Sequence, residues 1–332
     1  MLDGIRVLDL SSVGPAARAS RWLADYGARV TKVKPKDPTK QITPPFYAYS
    51  AHRGMDEATF DLPADAAAFL DLAAHADVVI ESFRPGVVDR LGVGYDAVRD
   101  RNPRVVYCST TGYGQTGPWS QWAGHDLNYL GVGGYLHTSG PANGVPGLTL
   151  ADSAGGGMHA VMSILAALVQ RASTNEGAYL DVSVADGMLA LMALNVDEYL
   201  AVGIEPGPGH GLLTGRFACY ATYECSDGKW LTVAAIEPRF WENVCTALDL
   251  EKWIPHQTDD AVQDDVRADM AATFRTKTRD EWVAEMGAAN TCVAPVLTIP
   301  EVVDNEQYIA RGAIVDAPAG GFRQVAKVLA GQ

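Results

Sequence analysis

The sequence predicts an α/β protein: a large lobe built on an open, Rossmann-like parallel sheet, followed by a smaller α+β lobe. Three observations predict it. Short apolar runs alternate with helical patterns through the first third of the chain, a breaker-rich stretch follows, and a hairpin signature opens the last third. At 332 residues, 48% of them hydrophobic, the chain can bury a sizeable core and is long for one compact unit.

Ile5–Leu10 is an apolar run with β-branched character and reads as a strand. Pro15 suits a helix start, and Ala16–Tyr26 carries a helical pattern that stops at Gly27. Arg29–Val33 reads as the next strand, completing a βαβ unit. Ala64–His75 reads as a helix, and Asp77–Glu81 and Arg104–Ser109 as further strands of the same sheet. Gly155–Gln170 and Val184–Ala201 read as apolar helices. The run Ile204-Glu205-Pro206-Gly207-Pro208-Gly209-His210-Gly211 reads as a boundary. Beyond it, Tyr220–Glu224 and Trp230–Ala234 flank Asp227-Gly228, a hairpin turn, and helical patterns fill 239–287. The expected division is a large domain over 1–200 with residues 305–332 returning to it, a linker over 201–214, and a small domain over 215–300.

The net charge of −14 argues against nucleic-acid binding, which requires a basic surface. No apolar run has the length expected of a membrane span, and the first residues lack the features of a secretory signal. Five cysteines without CxxC spacing read as reduced, mostly buried thiols, so the expected location is cytoplasmic. No metal-ligand spacing is present.

Gly112-Tyr113-Gly114-Gln115-Thr116-Gly117 fits GxGxxG after a strand. However, Pro118, Trp119 and Ser120 follow it where a dinucleotide site needs a helix, and the first βα turn lacks the glycines. A nicotinamide or flavin site is therefore not expected. In Gly124-His125-Asp126, a loop leads into a helix start, which puts a titratable imidazole beside free backbone N–H groups suited to a developing oxyanion. A lone histidine is more often structural, and this context favours function. Asp152 precedes three glycines. It reads either as a cap or as a base or nucleophile, because the glycines lose helix stability and gain close backbone approach. Glu237 stands just past a strand and carries little weight alone.

These strings resemble family III CoA transferases and their racemase branch, the α-methylacyl-CoA racemases. The resemblance runs through Leu2-Asp3-Gly4-Ile5-Arg6-Val7-Leu8, Ser82-Phe83-Arg84-Pro85-Gly86-Val87, Asp89-Arg90-Leu91-Gly92-Val93-Gly94-Tyr95 and Thr111-Gly112-Tyr113-Gly114-Gln115-Thr116-Gly117-Pro118. It continues through the motifs around His125 and Asp152. The racemase branch is matched by Gly124-His125-Asp126, Tyr223-Glu224-Cys225, Ala235-Ile236-Glu237-Pro238 and Pro295-Val296-Leu297.

The resemblance implies an interlocked homodimer and a CoA thioester as substrate, with no cofactor or metal. It implies inversion of the α-carbon of a 2-methylacyl-CoA by His125 and Asp152 as paired bases. Backbone N–H groups near Asp126 stabilise the enolate oxygen, and Glu237 orients His125 across the subunit boundary. The CoA contacts it implies are Lys34, Ser82, Phe83, Arg84 and Arg90, with Gly124, Asn128 and Tyr129 around the thioester. Two alternatives stand beside it: a CoA transferase using Asp152 as nucleophile, and an inactive CoA-binding protein. The carrier is CoA or a protein-bound phosphopantetheine.

Overall fold

The structure is a computed structural model that describes residues 1–41, 44–140, 144–318 and 320–327. Among the described residues, the first compact unit takes residues 1–136 and 144–204, and the second takes residues 137–140 with 205–318 and 320–327, so the main division falls between Ile204 and Glu205. The boundary falls inside the breaker-rich linker expected over 201–214. Residues 305–327 group with the second unit, where the sequence led us to expect a return to the first. Residues 328–332 of that expected segment lie outside the described residues.

The first unit opens with β1 (Arg6–Asp9), α1 (Gly14–Asp25) and β2 (Arg29–Pro35), the βαβ unit read from the sequence. There follow α2 (Pro45–His52), β3 (Asp56–Phe60), α3 (Ala66–Ala73), β4 (Val78–Glu81), α4 (Val87–Arg90), α5 (Tyr95–Arg101) and β5 (Val106–Thr111). Next are α6 (Asp126–Val132), α7 (Tyr135–Thr138) and a π-helix (Ala151–Met158) that continues as α8 (His159–Thr174). The unit closes with β6 (Ala178–Ser183), α9 (Val184–Leu191) and α10 (Ala193–Val202).

Six strands form one parallel sheet in the order β3-β2-β1-β4-β5-β6. Side chains alternate across it. Val7, Val78, Ile80 and Val106 meet α1 and α8 through Ala16, Ala19, Leu23, Ala160 and Ile164. Leu8, Val33, Val79 and Tyr107 meet α3 and α5 through Phe69, Ala73 and Val98. Both faces are covered, so the central strands β1, β4 and β5 are largely buried and the sheet is doubly wound. Each fully buried Leu or Ile in it stabilises the unit by about 1.5–3 kcal/mol.

Among the described residues, one continuous helical run, Ala151–Thr174, is long and apolar enough by composition to cross a membrane. Its Ala160, Val161, Ile164 and Ala167 are packed in the sheet core.

The second unit contains β7 (Tyr220–Glu224) and β8 (Trp230–Ala234), then α11 (Pro238–Ala247), α12 (Gln263–Phe274) and α13 (Arg279–Met286). β9 (Val293–Pro295), α14 (Ile299–Val303) and α15 (Glu306–Ala310) follow, then the hairpin β10 (Ile314–Asp316) and β11 (Arg323–Val325). β7, β8 and β9 form an antiparallel sheet, joined at Asp227-Gly228 with Gly228 at φ +72°. Tyr223, Leu231, Trp241, Met270, Phe274 and Trp282 fill its core. Cys108, Cys219, Cys225 and Cys245 are buried and unbridged, and Cys292 is exposed.

Candidate active site

The first unit brings His125, Asp126 and Asp152 together. The chain leaves β5, crosses the glycine-containing loop and enters α6 at His125, whose backbone is extended (φ −132°, ψ 174°). The His125 N–H donates to Asn128 Oδ1 at 3.0 Å, and the Asn128 N–H donates back to the His125 carbonyl at 2.8 Å. Asn128 therefore holds the turn that presents His125, an exposed side chain. Asp126 opens the helix, and its Oδ1 accepts the backbone N–H of Asp152 at 2.8 Å. That bond ties α6 to the π-helix.

Asp152 is not a cap. The residue before the π-helix is Leu150, with helical backbone angles and no side-chain capping bond. The Asp152 carboxyl is half-buried. Burial first, and the Asp126 charge second, push its pKa up to about 6, against the opposing pull of Arg18 and His125. A carboxylate with that pKa is a better base at neutral pH than an ordinary aspartate.

The three glycines give the close approach expected of them, and what approaches is the protein's own backbone and side chains. A Cβ on Gly156 would lie 2.4 Å from Pro15 Cβ, and one on Gly157 would lie 2.9 Å from Trp22 Cζ3. From the other side, a Cβ on Gly187 would lie 1.9 Å from the Gly155 carbonyl oxygen. Helices α1 and α9 thus close on the π-helix and fix it. π-Helical turns are rare and concentrate at functional sites.

The start of α1 completes this side. Gly14 (φ +76°) places its Cβ position 4.0 Å from Asp152 Oδ2. The Tyr47 hydroxyl accepts the Gly14 N–H at 2.9 Å and donates to its carbonyl at 3.2 Å. The Arg18 guanidinium lies over the Tyr47 ring, 5.6 Å from its centroid, and donates to Thr149 Oγ1. The sequence reading passed over Arg18 and Tyr47. The available signal was a cation set among small residues, Ala16, Ala17, Ala19 and Ser20, in a helix that otherwise reads as scaffold.

Aromatic side chains frame the other side. Tyr129 is buried, and it is Gly112 and Gly124 that make room for it: a Cβ on Gly124 would meet its ring at 2.8 Å. Burial, then the Asp152 charge, pushes its phenol up. Tyr113 meets it edge-on at 5.3 Å, and Trp119 and Trp122 stack at 5.0 Å.

The residues expected to contact CoA separate. Lys34, Ser82 and Phe83 line a cleft of about 520 Å³ with Ser11, Ser12 and Lys40. It opens beyond the carboxyl ends of β1, β2 and β4, and β1 and β4 are the neighbours between which the strand order reverses, where such sheets bind ligands. Arg84 and Arg90 are exposed and do not line that cleft. Gly124 belongs to the loop before α6, and Asn128 and Tyr129 to α6 itself. Lys34 pairs with Glu57, and Lys40 with Asp61 at 3.6 Å.

Beneath the cleft, sequence reasoning missed a buried ion pair and a buried carboxyl. Lys32 and Asp9 form an ion pair at 2.7 Å with essentially no exposure, and Asp9 Oδ1 also accepts the N–H and hydroxyl of Ser11 at 2.7 and 2.6 Å. Glu81 accepts the Phe83 N–H at 2.7 Å, and burial pushes its pKa up to about 7. Charged residues inside apolar strands were the signal for both.

Glu237 belongs to the second unit. It is exposed and precedes α11, where its carbonyl accepts the N–H groups of Phe240 and Trp241 at 2.9 and 3.1 Å. Among the described residues, no three His, Cys, Asp or Glu side chains are grouped as metal ligands would be.

A doubly wound parallel sheet that carries an elevated carboxyl and a histidine at the head of α6 defines the class of the protein as α/β, with a candidate reactive centre at that point. The profile of CoA-transferase family III matches residues 2–331, and the chain belongs to that family. It is 33% identical over 320 residues to the alpha-methylacyl-CoA racemase of Homo sapiens, covering 95% of this chain and 82% of that one. It is also 33% identical over 267 residues to the succinyl-CoA:glutarate CoA-transferase of Homo sapiens, covering 76% of this chain and 60% of that one. Among solved structures, a CAIB/BAIF family protein from Brucella suis superposes with a TM-score of 0.84 at 30% identity, covering 99% of this chain and 92% of that one.

Proposed function

We propose that this family III enzyme inverts the α-carbon of a 2-methylacyl-CoA thioester by moving a proton between two bases. The observation that carries the reading is the Asp152 carboxyl, raised to about 6 and tied through its N–H to the residue after His125. The likeness to a racemase along 95% of the chain supports it.

The thioester acidifies its α-proton by spreading charge onto its oxygen. Asp152 takes the proton on one face and His125 returns one on the other, each contributing roughly 10²–10⁴-fold. Backbone N–H groups at the first turn of α6, beside Asp126, hold the enolate oxygen, worth roughly 10²–10³-fold. Glu237 orients His125 as the third group of a triad does, from the partner of an interlocked homodimer. The exposed apolar side chains of α9 and α10, among them Leu189, Leu191, Leu194 and Leu200, support such a dimer. Lys34, Ser82 and Phe83 in the switch-point cleft, joined by the exposed Arg84 and Arg90, take the CoA moiety, and Gly124, Asn128 and Tyr129 border the thioester. No further cofactor is part of this scheme, and the location is the cytoplasm.

The test is one pure enantiomer of a 2-methylacyl-CoA incubated in D₂O without an acceptor acid. Loss of optical purity together with α-deuterium uptake is expected, and Asp152→Ala or His125→Ala suppresses inversion. If an acceptor is required, hydroxylamine traps an acyl-Asp152 adduct and no deuterium enters, the carboxyl is a nucleophile and the enzyme a CoA transferase. The likeness to succinyl-CoA:glutarate CoA-transferase supports that second reading.

A further inference from the structure

Arg18 has no use in the scheme above. It lies four residues beyond Gly14 on α1, so the two share a helix face. Gly14 is the residue whose Cβ position stands 4.0 Å from the Asp152 carboxylate. The Arg18 stem packs on the π-helix, where a Cβ on Gly157 would meet Arg18 Cβ at 3.1 Å. Its guanidinium charge reaches Asp152 strongly enough to oppose the rise in that carboxyl's pKa.

The guanidinium itself is poorly satisfied. One terminal nitrogen donates to Thr149 Oγ1, but Nε is buried and has no partner among the described residues. Among the described residues Arg18 forms no ion pair, in a chain with 40 acidic residues. Arg21, one turn on, shows the contrast: it is paired with Asp25 and donates to the Arg53 carbonyl at 2.6 Å. A buried N–H left open is costly, and a guanidinium edge matches a carboxylate. Arg18, Trp22, Tyr47, Ser50 and Ala51, with the Asp25-paired Arg21, line a cavity of about 220 Å³, room for a few carbons and a carboxylate. The Tyr47 hydroxyl that braces Gly14 joins this cavity to the Asp152 side of α1.

We propose that Arg18, braced by Tyr47, receives a carboxylate carried by the acyl group, so that the thioester handled at Asp152 is that of a short dicarboxylic acid. The proposal rests on acyl-thioester chemistry at Asp152 and is independent of whether that chemistry is inversion or transfer.

Calorimetric titration of the full-length protein with 2-methylglutaryl-CoA, and with the same thioester bearing a terminal carboxamide, tests it. The wild type should bind the acid about 10- to 100-fold more tightly than the amide, the range for a charge-assisted hydrogen bond. That comparison needs no variant. Arg18→Gln should bring the ratio close to one, and Arg18→Lys should retain part of it. Equal binding of the two ligands by the wild type, or an undiminished ratio in Arg18→Gln, would overturn the proposal. So would an equal loss for both ligands and for free CoA, which would assign Arg18 to a CoA phosphate. Deuterium uptake is scored separately on both ligands. Exchange without carboxylate preference removes this proposal alone, and carboxylate preference without exchange removes only the inversion.

Discussion

Replacing Asp126 by Asn tests the electrostatics of the candidate base with little change of shape. The carboxamide oxygen can still accept the Asp152 N–H that Asp126 Oδ1 now takes at 2.8 Å, while the negative charge that raises the Asp152 pKa disappears. Asp152 stands at about 6 against an ordinary 3.8, with burial the larger cause and Asp126 the second. A carboxyl of pKa about 6 is only about 9% ionised at pH 5, where an ordinary aspartate is about 94% ionised. If ionised Asp152 takes the α-proton, kcat/KM for deuterium uptake should fall on the acid side with a midpoint near 6. In Asp126→Asn the midpoint should move down by part of the two-unit displacement, and stay above the ordinary value because burial remains. The assay is uptake of α-deuterium from pH 4.5 to 8, with circular dichroism as the check on folding. An acid limb that keeps its midpoint in folded Asp126→Asn would refute the assignment of that limb to Asp152.

The remaining predictions concern the scaffold. Glu81 has a folded-state pKa raised to about 7 by burial, so its contribution to stability is complete below the ordinary glutamate range and is lost as pH rises through 7. Glu81→Gln should abolish this loss, so the variant gains on the wild type by up to about 3 kcal/mol between pH 5 and 8 in urea melts; parallel pH curves would contradict it. Gly187→Ala would bring a Cβ to 1.9 Å from the Gly155 carbonyl, so it should cost at least about 1–3 kcal/mol and lower the inversion rate. A neutral result in thermal melts would mean that α9 can shift. Lys32→Met leaves Asp9 buried without its cation and should cost about 3–5 kcal/mol, whereas replacing both partners by apolar residues should restore most of the loss.

The βαβ start, four of the six parallel strands and the β7–β8 hairpin were legible because apolar runs, turn residues and helix stops all agree there. β3 was not legible: Asp56–Phe60 is an edge strand carrying Asp56 and Glu57, without the apolar run of its neighbours. β6 was missed for the related reason that Ala178–Ser183 is half exposed, and its partner β5 supplies most of the apolar pattern. The single helix expected over 184–201 is two, α9 and α10, broken at Met192. Local chemistry pointed to His125 and Asp152, because a glycine-flanked histidine and an aspartate before three glycines are locally odd. The Asp126–Asp152 bond joins positions 26 residues apart, and Arg18 and Thr149 are 131 apart. Such pairings depend on how helices cross, which no periodicity encodes.

The π-helix also sets a tolerance to changes in chain length. A π-helical turn accommodates more residues than an α-helical turn over the same path. Deleting one residue between Ser153 and Met158 would let this segment relax to an α-helix while α8 keeps its place against the sheet. Everything upstream would then keep its angle around the axis, because the wider turn had absorbed that residue. A deletion within α8 has no wide turn to absorb it and would rotate everything upstream by about 100°. Asp152 would then swing off Asp126 and away from Gly14, although every side chain of the site would still be present. The π-helix is therefore the stretch of this helical run where the chain can lose a residue and keep the site.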